Sequence, residues 1–180
     1  MIGRRDFCRA LAAAAAVAPF ASPGRARADT QSPLPTLLWV RRGRDEAQLD
    51  YSTAEGYRAI AWMMRDVRAG IIGVPHTRLL EQWAWMQAWL AAYGYHVRFD
   101  IHSGLRTPAT NRSTEGAALA SYHLPDAQGV FRAGDFSTPT IPSEYMGRLA
   151  WLSRQGGVGF YVRDFIHTDV RGNPVSWRAR

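Results

Sequence analysis

Four short segments between Ser103 and Asp169 concentrate residues able to do chemistry: Ser103-Gly-Leu-Arg106-Thr-Pro-Ala-Thr-Asn111, Ser121-Tyr-His123, Arg132-Ala-Gly-Asp135 and Phe165-Ile-His167-Thr-Asp169. Two histidines and an aspartate are the ligand set of an open catalytic zinc site, which holds three protein ligands and water in the fourth position. Arg106 lies upstream, on a loop leaving a strand, where a fixed cation could meet the charge developing on a carbonyl oxygen. His167 and Asp169 are two apart in a segment that reads as a strand, so both point to one face. Asp169 could orient a ligand, accept a proton from water or bind a substrate amine.

The elements expected to carry these groups read as helices first and short strands later. That order predicts an α+β fold with a small antiparallel sheet packed with helices. Leu37 to Val40 suits an edge strand. Ser52 with Glu55 makes a capping box for a helix that Gly70 stops. Its apolar positions are Tyr57, Ile60, Ala61, Met64 and Val67. A second helix runs from Thr77 to Tyr93, with Leu79, Leu80, Trp83, Met86, Trp89 and Leu90 on one core face. Trp85 lies off that face, where it could meet a ligand. Tyr95 to Ile101 alternates as a strand with one wet face. A short helix is expected over Thr114 to Ala120, a strand over Ala133 to Phe136, and a helix over Ser143 to Gln155 stopped by Gly156-Gly157. Val158 to Val162 and Phe165 to Val170 form a hairpin around Arg163-Asp164.

The quoted segments resemble the M15 metallopeptidases, in particular the DUF882 branch that cuts peptide cross-links in bacterial peptidoglycan. The resemblance covers roughly residues 37 to 177. Ser121-x-His123 and Arg132-Ala-x-Asp135 match the two halves of the family motif Ser-x-His-x-x-Gly-x-Ala-x-Asp. It implies a hedgehog/D-Ala-D-Ala peptidase-like fold, Zn2+ held by His123, Asp135 and His167, and Arg106 polarising the scissile carbonyl. Where relatives with a His-x-His pair carry a basic histidine, this chain has Phe165, which leaves Asp169 as candidate base. Eleven residues separate His123 from Asp135 instead of the usual six. The added loop around Pro125 to Gly129 absorbs the insertion cheaply, but it offers Asp126 as a competing ligand to Asp135. Asn111 and Glu115 match family positions near the site and read as loop and capping residues. His76 and His96 read as ordinary surface histidines, and His102 as a residue able to line the cleft.

The amino-terminal 28 residues read as a twin-arginine export signal: Arg4-Arg5, an alanine-rich apolar stretch from Leu11 to Val17, and Ala26-Arg27-Ala28 before the cut. The stretch is too short to span a bilayer comfortably. Residues 29–36 read as a flexible leader and 37–180 as the peptidase domain, exported to the periplasm or secreted. All 22 basic residues of the 180 are arginine, and the net charge is +7. Removing the signal leaves 17 arginines against 14 acids over 152 residues, so the excess shrinks to +3. The mature chain lacks a basic stripe with interleaved aromatics, which argues against nucleic-acid binding. The only cysteine, Cys8, lies in the signal, so no disulfide can staple the domain. The expected protein is a monomeric zinc peptidase acting on peptidoglycan peptide stems. The competing expectation is a non-catalytic wall-binding protein on the same fold.

Overall fold

Leu38 and Val40 are fully buried while their neighbours along the chain are not. That alternation makes Leu37–Arg42 the first strand, β1. Gly43, at φ +62°, turns the chain into β2, Asp45–Asp50. In this computed structural model, which describes residues 34–179, helix α1 follows at Ala54–Met63. Then come β3 (Val74–Pro75), α2 (Thr77–Ala92), β4 (Phe99–Ser103) and α3 (Pro108–Arg112). The second half holds β5 (Val130–Phe131), β6 (Ala133–Ser137), α4 (Ser143–Leu152), β7 (Gly157–Tyr161), β8 (Phe165–Asp169) and β9 (Val175–Ala179). The export signal expected over 1–28, and residues 29–33 of the leader, lie outside the described residues.

Seven strands form one sheet in the order β2-β1-β4-β6-β8-β7-β9, and β3 pairs with β5 separately. The fold is α+β, with a mostly antiparallel sheet packed against helices. Within that sheet two pairings are parallel, β1 with β4 and β7 with β9, and the separate β3–β5 pair is parallel as well. Trp83 of α2 anchors the helix-covered face. It is fully buried, edge-on to Phe99 and Phe136, and its indole N–H donates to Thr168 Oγ1 at 2.8 Å. Phe99 and Phe136 stack on each other with centroids 4.0 Å apart. Gly134 is required beneath this ring, because a Cβ there would lie 2.5 Å from Trp83 Cζ2. Side chains alternate across a strand, so packing Phe136, Ile166 and Thr168 against helices turns Asp135, His167 and Asp169 to the other face.

Several local expectations change. β1 is interior, and β2 is the edge; Asp45, Glu46, Gln48 and Asp50 gave that strand no apolar signature. The cap of α1 is Thr53, whose hydroxyl accepts from Gly56 N, and the helix ends at Met63, well before Gly70. Val67 therefore lies beyond the helix and is exposed. The strand expected from Tyr95 begins at Phe99 and runs on to Ser103. Residues 114–120 form turns, and the short helix sits earlier, opened by Thr107 with Pro108 in its first turn. α4 ends at Leu152 instead of Gln155, and β9 had no counterpart among the expected strands.

Candidate metal centre

β6 and β8 are antiparallel neighbours, and their register sets Asp135 directly opposite His167. His123 arrives from the loop that precedes β5. Asp135 Oδ1 lies 2.9 Å from His167 Nδ1 and 3.2 Å from His123 Nε2, and the two imidazole nitrogens are 3.1 Å apart. All three side chains are buried, and they form a group able to hold a metal ion.

The outward nitrogen of each ring fixes which inward nitrogen is bare. His123 Nδ1 is 2.6 Å from the Gly104 carbonyl, an acceptor, so that nitrogen carries the proton. His167 Nε2 is 3.0 Å from Asp169 Oδ2, again an acceptor. Each neutral imidazole has one donor and one acceptor nitrogen, so two lone pairs and a carboxylate oxygen converge on one point. Such a set calls for positive charge at its centre, either an added proton or a cation. Burial pushes the Asp135 carboxyl up, but the two imidazoles outweigh it and hold the group far below the usual carboxylate range. Burial pushes His123 down; at His167 the bonds to Asp135 and Asp169 overcome burial and push it up. The donor set suits a divalent metal, and outward partners of this kind orient metal-bound histidines.

The cluster opens into a cavity of about 270 Å³ lined in part by Arg106, Tyr122, Tyr161, Arg171 and Trp177.

A family model described as peptidase M15 matches residues 55–169, a span from α1 to the end of β8 that contains Arg106, His123, Asp135, His167 and Asp169. The chain belongs to the peptidase M15 family. No curated protein and no solved structure matches it. M15 peptidases are metallopeptidases, and the His-Asp-His group has the chemistry such an enzyme needs.

The expected site residues of this M15 chain fall into distinct places. Arg106 lines the cavity, with its Nη2 on Asp135 Oδ2 and its Nε on Ser103 Oγ at 2.9 Å. Its backbone N–H donates to the His123 carbonyl at 2.9 Å, so the arginine loop and the histidine loop are tied together. Asp169 lies behind His167, fully buried, and its oxygens also accept from Gly157 N and from Arg171. From there it can orient the His167 ring. Asp126 is turned away from the cluster: it pairs with Arg132 at 2.8 Å and accepts from Gln128 N and Val130 N. The inserted loop thus closes on itself and forms β5, leaving Asp135 as the carboxylate at the centre. Trp85 does not line this cavity. His76 caps α2, with Nδ1 accepting from Arg78 N, and His102 bonds Ser137 Oγ at 2.8 Å. Asn111 is buried and donates to Ala118 O, whereas Glu115 is exposed.

Other contributors had no place in the expected site. Asp66 Oδ2 accepts from both Thr107 N and Thr107 Oγ1, at 2.8 and 2.9 Å, and so pins the residue after Arg106. Burial pushes its carboxyl up, but hydrogen bonds from Thr110, Thr107 and Ala69 bring it down to about 2. Arg171 is held between the Tyr122 and Trp177 rings, at 4.6 and 5.3 Å from their centroids, while it grips Asp169. The spacing Asp169-x-Arg171 was the available signal for it; Asp66, forty residues from its partner loop, left none. Two glycines have reasons other than turning. A Cβ on Gly104 would lie 2.3 Å from the Met64 carbonyl oxygen, and one on Gly157 would lie 2.4 Å from Asp169 Oδ2.

Proposed function

We propose that this chain is a zinc-dependent peptidase that hydrolyses peptide cross-links of bacterial peptidoglycan. The observation that carries the proposal is the convergence of two imidazole nitrogens and a carboxylate oxygen, within 3.2 Å of one another, beside an arginine in an open cavity. His123 Nε2, His167 Nδ1 and Asp135 Oδ1 are the atoms that would hold the metal. A bound zinc would act as a Lewis acid and lower the pKa of water to about 7, supplying a nucleophile at neutral pH.

The chain's own residues supply the rest. Arg106 offers a fixed cation to the carbonyl oxygen as it gains charge, a contribution of about 3 kcal/mol by comparison with other oxyanion donors. Asp169, braced by Arg171, keeps the His167 Nε2 proton facing outward and its other nitrogen bare. Amide cleavage needs a proton delivered to the leaving amine. Phe165 cannot supply it and Asp169 is walled off behind His167, so we assign that transfer to water in the cavity. The peptidase domain is proposed to span residues 37–180 and to work as a monomer in the periplasm or outside the cell, after export by the twin-arginine signal over residues 1–28.

Digestion of purified peptidoglycan by the zinc-loaded chain beginning at Asp29 tests the substrate. Mass spectrometry should find cross-linked muropeptides replaced by fragments that together carry one added water. Intact cross-links after prolonged digestion would remove the peptidoglycan assignment.

A further inference from the structure

Tyr161 is the aromatic residue of the cavity wall that the proposed chemistry leaves unused. Its position follows from the sheet. In the pairing of β7 with β8, Gly159 sits opposite His167 and Tyr161 opposite Phe165. Tyr161 is therefore one step along the strand from the ligand level, on the same face as the centre. Its ring stacks on Phe165, with centroids 4.4 Å apart and planes 13° from parallel. The phenol is half-buried and lines the same cavity as Arg106, Asp135 and His167.

β9 pairs Trp177 with Gly159, and the absent Cβ makes room for the indole: an alanine Cβ would lie 2.8 Å from the ring and 2.9 Å from its nitrogen. From there Trp177 lines the same cavity as Tyr161. The phenol carries one O–H donor.

We propose that the Tyr161 hydroxyl donates a hydrogen bond to the scissile carbonyl oxygen, alongside Arg106, as that oxygen becomes an oxyanion. This role rests on the peptidase reading above. No proton leaves the tyrosine: water adds to the carbonyl carbon, the C–N bond breaks, and the proton from that water ends on the amine. Burial raises the phenol's affinity for its proton, and the Asp135 charge adds to this while Trp177 and Arg106 oppose it; the balance is upward, so the donor stays protonated at neutral pH.

The test compares zinc-loaded wild type with Tyr161→Phe, which keeps the ring stacked on Phe165 and removes only the hydroxyl. On purified muropeptide dimers, kcat should fall ~100–1,000-fold with KM within about twofold, in the range of a lost oxyanion donor. A second readout is independent of turnover. A phosphinic pseudo-dipeptide of alanine, which mimics the tetrahedral oxyanion, should bind Tyr161→Phe more weakly by a similar factor, while alanyl-alanine binds both proteins equally. Unchanged kcat and unchanged phosphinate affinity would overturn the role, as would a loss confined to KM. If wild type cleaves no dimer, the peptidase reading fails and this role with it. If wild type cleaves and Tyr161→Phe cleaves equally, only the tyrosine's role fails.

Discussion

At the scale of single residues, the centre depends on groups that never touch a metal. His123 and His167 present bare nitrogens because Gly104 O and Asp169 Oδ2 hold the opposite protons. Replacing Asp169 by Asn should weaken zinc affinity by roughly 10–100-fold, the usual cost of losing such a partner. Once zinc is saturating, the mutant's kcat should stay near wild type. Competition with a chromogenic chelator measures the first quantity and peptide hydrolysis the second. A mutant with full zinc and no turnover would restore Asp169 as the base. Asp66 makes a separate prediction. Its carboxyl ordinarily titrates near 3.8 and is lowered to about 2 in the fold. A depressed acid stabilises the fold above its unfolded value and ceases to do so as pH falls through its folded value. The stabilisation should therefore drain away between pH 4 and 2. Asp66→Asn should lose about 1.5–3 kcal/mol at pH 6, the worth of hydrogen bonds to a charged group, and show a flatter acid limb in urea unfolding. The three clustered residues His123, Asp135 and His167 were legible in the sequence because each sits in a short segment with matching flanks. Asp66 and Tyr161 were not, because their roles exist only once distant segments meet.

At the scale of elements, register does the positioning. Asp135 and His167 are opposed because β6 and β8 pair without a break, while β4 accommodates a bulge between Ile101 and Ser103. The glycines that allow close approach are as important here as the strands. Gly104→Ala would drive a Cβ against the Met64 carbonyl, where backbone must move. It should cost about 3 kcal/mol as overpacking does and lower the melting temperature by roughly 6–12 °C, with weakened zinc binding because His123 loses its outward acceptor. An unchanged melting temperature would show that this contact relaxes freely. α2, β6 and the β7–β8 hairpin could be read from periodicity alone. β2 could not, because its polar residues give no alternating pattern, and β9 could not, because Gly172-Asn-Pro174 reads only as a break. Gly156-Gly157 looked like a helix stop; its physical reason is the packing of β7 against Asp169.

At the scale of the whole molecule, the described residues contain no cysteine, so the fold must be held by its core and by whatever ion its centre takes up. Zinc that binds only the folded chain should raise stability by about 2.7 kcal/mol at a hundredfold excess over Kd, or roughly 5–10 °C in melting temperature. Calorimetry with and without added zinc would register that shift, and His123→Ala should abolish it. The weak positive charge of the mature chain would favour an anionic polymer such as cell wall without demanding it. The central claim is that His123, Asp135 and His167 hold the one ion that makes this M15 chain a hydrolase. Titrating zinc into chelator-stripped protein while following muropeptide hydrolysis tests it most directly. Cleavage should be absent without metal, and the rate should rise linearly to a plateau at one zinc per chain. Full activity in the stripped protein, or a plateau with no dependence on zinc, would contradict it.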